Sequence, residues 1–168
     1  MNLLPYERII SKSSLSEAEA LKRLSESVEP SSRNFTLFSR NYPDKAYQGK
    51  IDGYEFDIAR VIRYRNSFLP RITGTIRSEY DGTVVDVKMK LDPMVLVFMC
   101  IWCGMVGFGG CMIFISTLGK GFQPAILIPA GMLLFACVMV VGGFKAESST
   151  SRKDLKEIFK AEIIESTS

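Results

Sequence analysis

Between Pro93 and Gly119 no position carries a charge, and the same is true from Gly121 to Phe144; Lys120 alone separates the two runs. Polar residues do not alternate with apolar ones in either run, so neither has a wet face and a dry face. An α-helix rises about 1.5 Å per residue and the hydrocarbon core of a bilayer is about 30 Å thick, so about 20 apolar residues cross it. The pattern predicts one span over residues 94–118 and a second over 124–143. Asp92-Pro93 suits the mouth of the first helix, with Asp as N-cap and Pro at N1, where its missing N–H is no loss. Gln123-Pro124 opens the second in the same way. The linker from Gly119 to Gln123 is short, which makes the two helices antiparallel neighbours. A domain of this size cannot cover such a hairpin, so a wholly soluble chain is excluded.

The flanking segments are patterned differently. Ser14-Leu15-Ser16-Glu17 matches a capping box, and Leu15, Ala18, Leu21, Leu24 and Val28 recur at helical spacing. An amphipathic helix is expected over 15–28, ended near Pro30 and packed by its apolar face on a sheet. Tyr6–Ile10 and Phe35–Phe38 read as short strands. Tyr47–Ile51 and Tyr54–Arg60 flank Asp52-Gly53, a hairpin signal, and Ile72–Arg77 and Thr83–Leu91 flank a second one, Glu79-Tyr80-Asp81-Gly82. Val85, Val87, Met89 and Leu91 alternate with more polar neighbours, the mark of an antiparallel sheet buried on one face. A phase shift at Val61–Tyr64 implies a bulge or bend. Ser151-Arg152-Lys153-Asp154 repeats the capping pattern, and Leu155, Ile158, Phe159 and Ile163 form a stripe after it. The fold class expected is therefore an α+β membrane protein. A cytosolic antiparallel β-sheet of about four to six strands with one amphipathic helix (1–91) leads into a transmembrane helical hairpin (92–144). A tail (145–168) carries a short C-terminal amphipathic helix that docks on the domain, lies on the membrane or binds a partner, docking being the favoured reading.

Composition alone hides this division: 47% hydrophobic and 23% charged residues in a chain of 168 are ordinary globular values. The placement of charge adds a direction. Fifteen of the 21 Lys and Arg precede the first run, one lies between the runs and five follow the second. Basic residues stay on the cytoplasmic side, so both termini are expected inside and the Lys120 loop outside. Met1–Arg8 lacks the apolar core of a signal peptide, and the first span must direct insertion itself.

Chemistry is sparse. The chain has no His, which removes the commonest general base and most zinc sites. It shows no glycine-rich phosphate loop, nucleophile elbow or paired-carboxylate pattern, and no ionisable group inside either span. No enzyme activity, metal or cofactor is expected. All four cysteines, Cys100, Cys103, Cys111 and Cys137, lie in the spans, where Cys100-x-x-Cys103 reads as small packing residues rather than a redox or metal motif. Cys103, Gly107 and Cys111 repeat every four residues, a small-residue stripe for close helix approach. Its partner would be the second span, through Ala130, Ala136 and Gly143, or another copy of the chain.

The densest polar cluster runs from Arg60 to Arg71. Arg60, Arg63, Arg65, Asn66 and Arg71 are candidate ligands for a phosphate or an anionic lipid headgroup, because Arg binds phosphate oxygens in bidentate fashion. The structural alternative pairs Arg60, Arg63 and Arg65 with Glu55, Asp57 and Asp86 across the sheet, with Asn66-Ser67 in a turn. Nucleic acid is not expected as a partner, since residues 1–92 hold fifteen basic against thirteen acidic side chains.

Phe56-x-Ile58, the string Arg60-Val61-Ile62-Arg63-Tyr64-Arg65-Asn66-Ser67-Phe68-Leu69-Pro70 (its most specific part from Tyr64 on), Gly74-x-Ile76, Gly82-Thr83 and the two spans together resemble a family of small, uncharacterised bacterial two-span membrane proteins. The resemblance implies a bacterial inner membrane and no particular activity. A helix and meander fused to a helical hairpin is also similar to bacterial pleckstrin-homology-like membrane proteins, a likeness of architecture that does not fix function. The function expected is a non-enzymatic binding or scaffolding module at the inner membrane surface, touching anionic headgroups. The alternatives are an accessory subunit of a larger membrane complex and an enzyme of unrecognised type.

Overall fold

The chain is described here as a computed structural model covering residues 5–30, 45–62, 64, 66–80, 82–118 and 123–167. Strand β1 (Tyr6–Ser13) opens it, followed by helix α1 (Glu17–Ser27) and a three-residue strand β2 (Val28–Pro30). Strands β3 (Tyr47–Asp52), β4 (Glu55–Arg60), β5 (Pro70–Glu79) and β6 (Gly82–Leu91) follow. The long helices are α2 (Pro93–Thr117) and α3 (Leu127–Phe159), the latter entered through a 3₁₀ turn at Pro124–Ile126; strand β7 (Ala161–Thr167) closes the chain.

The strands form one seven-stranded sheet in the order β2-β3-β4-β5-β6-β1-β7. Both predicted hairpins form, with Asp52 paired to Glu55 and Glu79 paired to Gly82 at their tips. The sheet is mixed rather than purely antiparallel, because β2 runs parallel to β3. A parallel pair needs a long connection, and here the chain from Pro30 to Tyr47 supplies it. The expected strand at Phe35–Phe38 lies outside the described residues.

Alternation sets the buried face. Phe56, Ile58, Ile72, Ile76, Val85, Val87, Met89 and Ile9 are at most 3% exposed and point to one side. That side is covered by α1, through Ala20 and Leu24, and by the charged half of α3, through Phe144, Leu155 and Phe159. Phe56 lies across Gly74 on the neighbouring strand, a position where a Cβ would collide with its ring, and Phe159 stacks on Phe56 with centroids 6.1 Å apart. The other face of the sheet is polar, with Arg8 bonded to Asp86 and Arg71 to Asp57.

Two helices differ from expectation. Helix α1 begins two residues later than the capping-box pattern placed it: Ser16, not Ser14, is the N-cap, accepting from the Glu19 N–H at 3.3 Å. The tail helix is not a separate element. It continues the second apolar helix without a break, so Ser151 sits mid-helix with its hydroxyl buried instead of capping an end. At about 1.5 Å per residue, the 33 residues of α3 reach about 50 Å, enough to cross a bilayer and then lie along the sheet. Beyond Lys160, in the left-handed conformation that ends the helix, the expected tail becomes β7, paired with β1.

Helices α2 and α3 are both long and apolar enough to span a membrane. Asp92 caps α2, its carboxylate accepting from the Met94 N–H at 2.8 Å with Pro93 in the first turn, as the sequence implies. No linker intervenes between Leu91 of β6 and this cap.

Candidate functional site

Leu91, Pro70, Arg60, Tyr47 and Tyr6 all lie at the same end of the sheet, as the register requires. Both apolar helices meet the domain at this end: α2 starts from it, and the α3 residues just past the apolar run pack on it. Among the described residues of the β4–β5 connection, Tyr64, Asn66 and Phe68 all reach α3 at this end. Phe68 seats directly on Gly143, where an added Cβ would come within 3.0–3.2 Å of its ring and Cβ. A larger residue at 143 would push this connection outward.

One turn further along α3 stands Glu147, with only 4% of its side chain exposed. Three donors converge on its carboxylate. Arg60 Nη1 donates to Oε2 at 3.3 Å, Asn66 Nδ2 donates to Oε1 at 3.2 Å, and the Tyr64 hydroxyl donates to Oε1. Asn66 also accepts from the Phe68 N–H at 2.9 Å, which fixes the turn before the aromatic ring. Arg60 is shared: its Nε lies 3.3 Å from Asp154, two turns on from Glu147, and Asp154 accepts from the buried Tyr47 hydroxyl at 3.3 Å. A second pair, Arg152 with Glu7, ties the same helix to β1.

This is a polar layer between α3 and the sheet, buried at Glu147, half-buried at Arg60 and Asp154 and exposed at Tyr64. A carboxylate taken out of water is tolerated only when paired and hydrogen-bonded, and Glu147 meets both conditions. Removing one partner of such a pair typically costs about 3–5 kcal/mol. The hydrogen bond to the Glu147 carboxylate pushes the Tyr64 phenol above its ordinary value, because ionisation would lose that bond. Burial, followed by the nearby Asp154 charge, pushes the Tyr47 phenol up as well. Ser151, fully buried one turn after Glu147, sets its hydroxyl beside the Tyr47 phenol.

The candidate ligands are thus distributed as follows. Arg60 and Asn66 are engaged with Glu147, and Arg71 is engaged with Asp57 through bonds of 2.8 and 2.5 Å on the outer face. Arg63 and Arg65 lie outside the described residues. The cross-strand alternative proposed for Arg60 also needs correction: Asp57 and Asp86 are bonded to Arg71 and Arg8, while Arg60 turns to the acids of α3. Glu147 is not among the residues that the sequence singles out, whereas Tyr64 stands there within the Tyr64–Pro70 string and Asp154 within the capping pattern, neither as a partner of Arg60.

Of the helix-packing candidates, Cys103 is half-buried and lines a groove between the two long helices with Cys100, Cys137, Ala136 and Val140. Gly107 has nothing within 4 Å of an added Cβ, and Cys111 is exposed. The helices come close at Gly110, which adjoins the stripe and lies against Pro129, and the expected partner position Ala136 is buried. Ala130 is exposed, and Gly143 receives Phe68 rather than α2. Among the described residues no group of three or more His, Cys, Asp or Glu is placed to hold a metal ion. No family model, curated protein or solved structure matches the chain.

Proposed function

We propose that this is a two-span protein of the bacterial inner membrane, with both termini in the cytoplasm. Its sheet domain acts as a non-enzymatic binding or scaffolding module at the membrane surface. The observation that carries this reading is the seat of Phe68 on Gly143, the penultimate residue of the uncharged run of α3. If α3 crosses the bilayer, that contact puts the β4–β5 connection at headgroup depth. Arg60, Asn66 and Arg71 are occupied within the chain, so contact with anionic lipid falls to Arg63 and Arg65. A basic residue close to an anionic surface contributes about 1 kcal/mol of attraction, which salt screens.

The test uses the full chain extracted from bilayers of phosphatidylglycerol and phosphatidylethanolamine, with retained lipid read by native mass spectrometry. The intact protein should retain phosphatidylglycerol preferentially, and less of it as salt rises. Arg63→Glu combined with Arg65→Glu should reduce that preference on the order of tenfold or more. Equal retention by the two proteins would sink the headgroup reading. A second protein accompanying the chain in fixed ratio would make it a complex subunit instead.

A further inference from the structure

Arg60 and Asn66 attract attention in the sequence as ligands for an oxyanion, and in the structure they bind one. It belongs to the chain itself. Guanidinium, amide and phenol donors from a seven-residue stretch converge on both oxygens of Glu147, a residue more than eighty positions away on another element. The donors travel together, since all three belong to the end of β4 and the connection after it. The acceptor arrives separately, on the helix that continues the second apolar run. We propose that Glu147 is the resident occupant of an oxyanion site built by Arg60, Tyr64 and Asn66, and that a phosphate group takes its place when α3 and the β4–β5 connection separate.

Three features support the assignment. The donor set offers charge plus two neutral hydrogen bonds, the chemistry that binds a phosphate monoester, which carries more charge and one more acceptor oxygen than a carboxylate. The site is closed on the α3 side, where Glu147 is 4% exposed, but Tyr64 on the other side is 58% exposed, so outward movement of this one connection opens it. The connection leaves the sheet at Val61, whose N–H bonds Ala46, and rejoins it at Pro70; between them it is held to α3 by the Glu147 bonds and the Phe68 seat. The assignment deepens the headgroup reading: Glu147 then sets how readily the surface accepts an anionic ligand.

The experiment compares the intact full chain with Glu147→Ala and Glu147→Gln, in detergent and in nanodiscs. The probes are inorganic phosphate, followed by calorimetry, and phosphatidic acid against phosphatidylcholine, followed by lipid retention. Freeing the donors should tighten binding of a phosphate group by roughly tenfold to a hundredfold, the worth of one charge-assisted bond set no longer contested. Adding Arg60→Leu should abolish the gain. A gain with phosphatidic acid alone assigns the ligand to the lipid, and a gain with both probes assigns it to the phosphate group itself. A gain with inorganic phosphate alone assigns a soluble ligand. Glu147→Gln keeps the side-chain volume and carries the decision if Glu147→Ala does not fold. No gain in a folded variant, or a gain that survives Arg60→Leu, overturns the proposal. The headgroup reading fails separately, through Arg63→Glu and Arg65→Glu in a protein that retains Glu147.

Discussion

Tyr47 is wholly buried at the start of β3, with its hydroxyl turned to Asp154. Its phenol is raised by burial first and by the neighbouring carboxylate second, so the folded state disfavours the phenolate. The sign follows from linkage: the stability this residue contributes is fully present below the ordinary phenol value of about 10 and is lost as pH rises above it. Replacing it by Phe should cost about 1 kcal/mol at neutral pH, the worth of one hydrogen bond. The variant should then lose stability less steeply than the intact protein between about pH 10 and pH 11. Unfolding midpoints followed by circular dichroism across that range give the answer, and parallel curves would exclude the assignment. The same strand end shows what a single residue discloses in sequence. Phe56, Ile58 and Arg60 share one face of β4, so alternation already turns Arg60 toward the core, where it must find a buried acid. That acid was not legible, because Glu147 is 87 positions away and only the packing of α3 on the sheet brings it near.

Elements were legible where local chemistry specifies them. Asp52-Gly53 and Gly82 mark hairpin tips, and Asp92-Pro93 marks a helix start. Helix α3 was the exception. Charge resumes at Lys145, which reads as the end of a span, and Ser151 reads as a new beginning. What carries the helix through is tertiary. Phe144, Ser148, Ser151, Leu155 and Phe159 fall at three- and four-residue spacing and are all buried against the sheet domain. Small serines permit the close packing, while the charges turn to the opposite face or, like Glu147, find partners. Continuity can be broken at Ala146, which is exposed, so a proline there adds no clash with the core. It does remove one helical hydrogen bond and crowd the preceding turn, at about 3 kcal/mol or more. Ala146→Pro should lower the thermal midpoint of the full protein and increase hydrogen exchange over residues 147–159, whereas Ala146→Gly should cost only about 1 kcal/mol. Equal effects of the two would mean that the domain half of α3 is held by its packing alone.

At the scale of the whole molecule, the sheet and the apolar pair are joined twice at one end, by the Asp92 cap without a linker and by the unbroken α3. If the pair inserts, the domain cannot drift away from the surface, and the orientation of the spans decides which compartment it faces. Charge is what supports the proposed orientation. Close to the spans, Arg77, Lys88 and Lys90 precede α2 and Lys145, Arg152, Lys153 and Lys156 follow the apolar run of α3, while Lys120 stands alone between the helices. Moving basic side chains through the bilayer is costly, which favours retention of both flanks in the cytoplasm. A cysteine placed at position 120 in a variant lacking the four native cysteines should react with a membrane-impermeant thiol reagent in intact cells. Cysteines placed at the exposed positions 80 and 157 should react only after the cells are opened. The opposite labelling pattern would put the Glu147 layer outside the cell and remove its access to cytoplasmic phosphate. Reaction at 120 together with 157 but not 80 would require the chain to cross an odd number of times, and the two-span reading would fall with it.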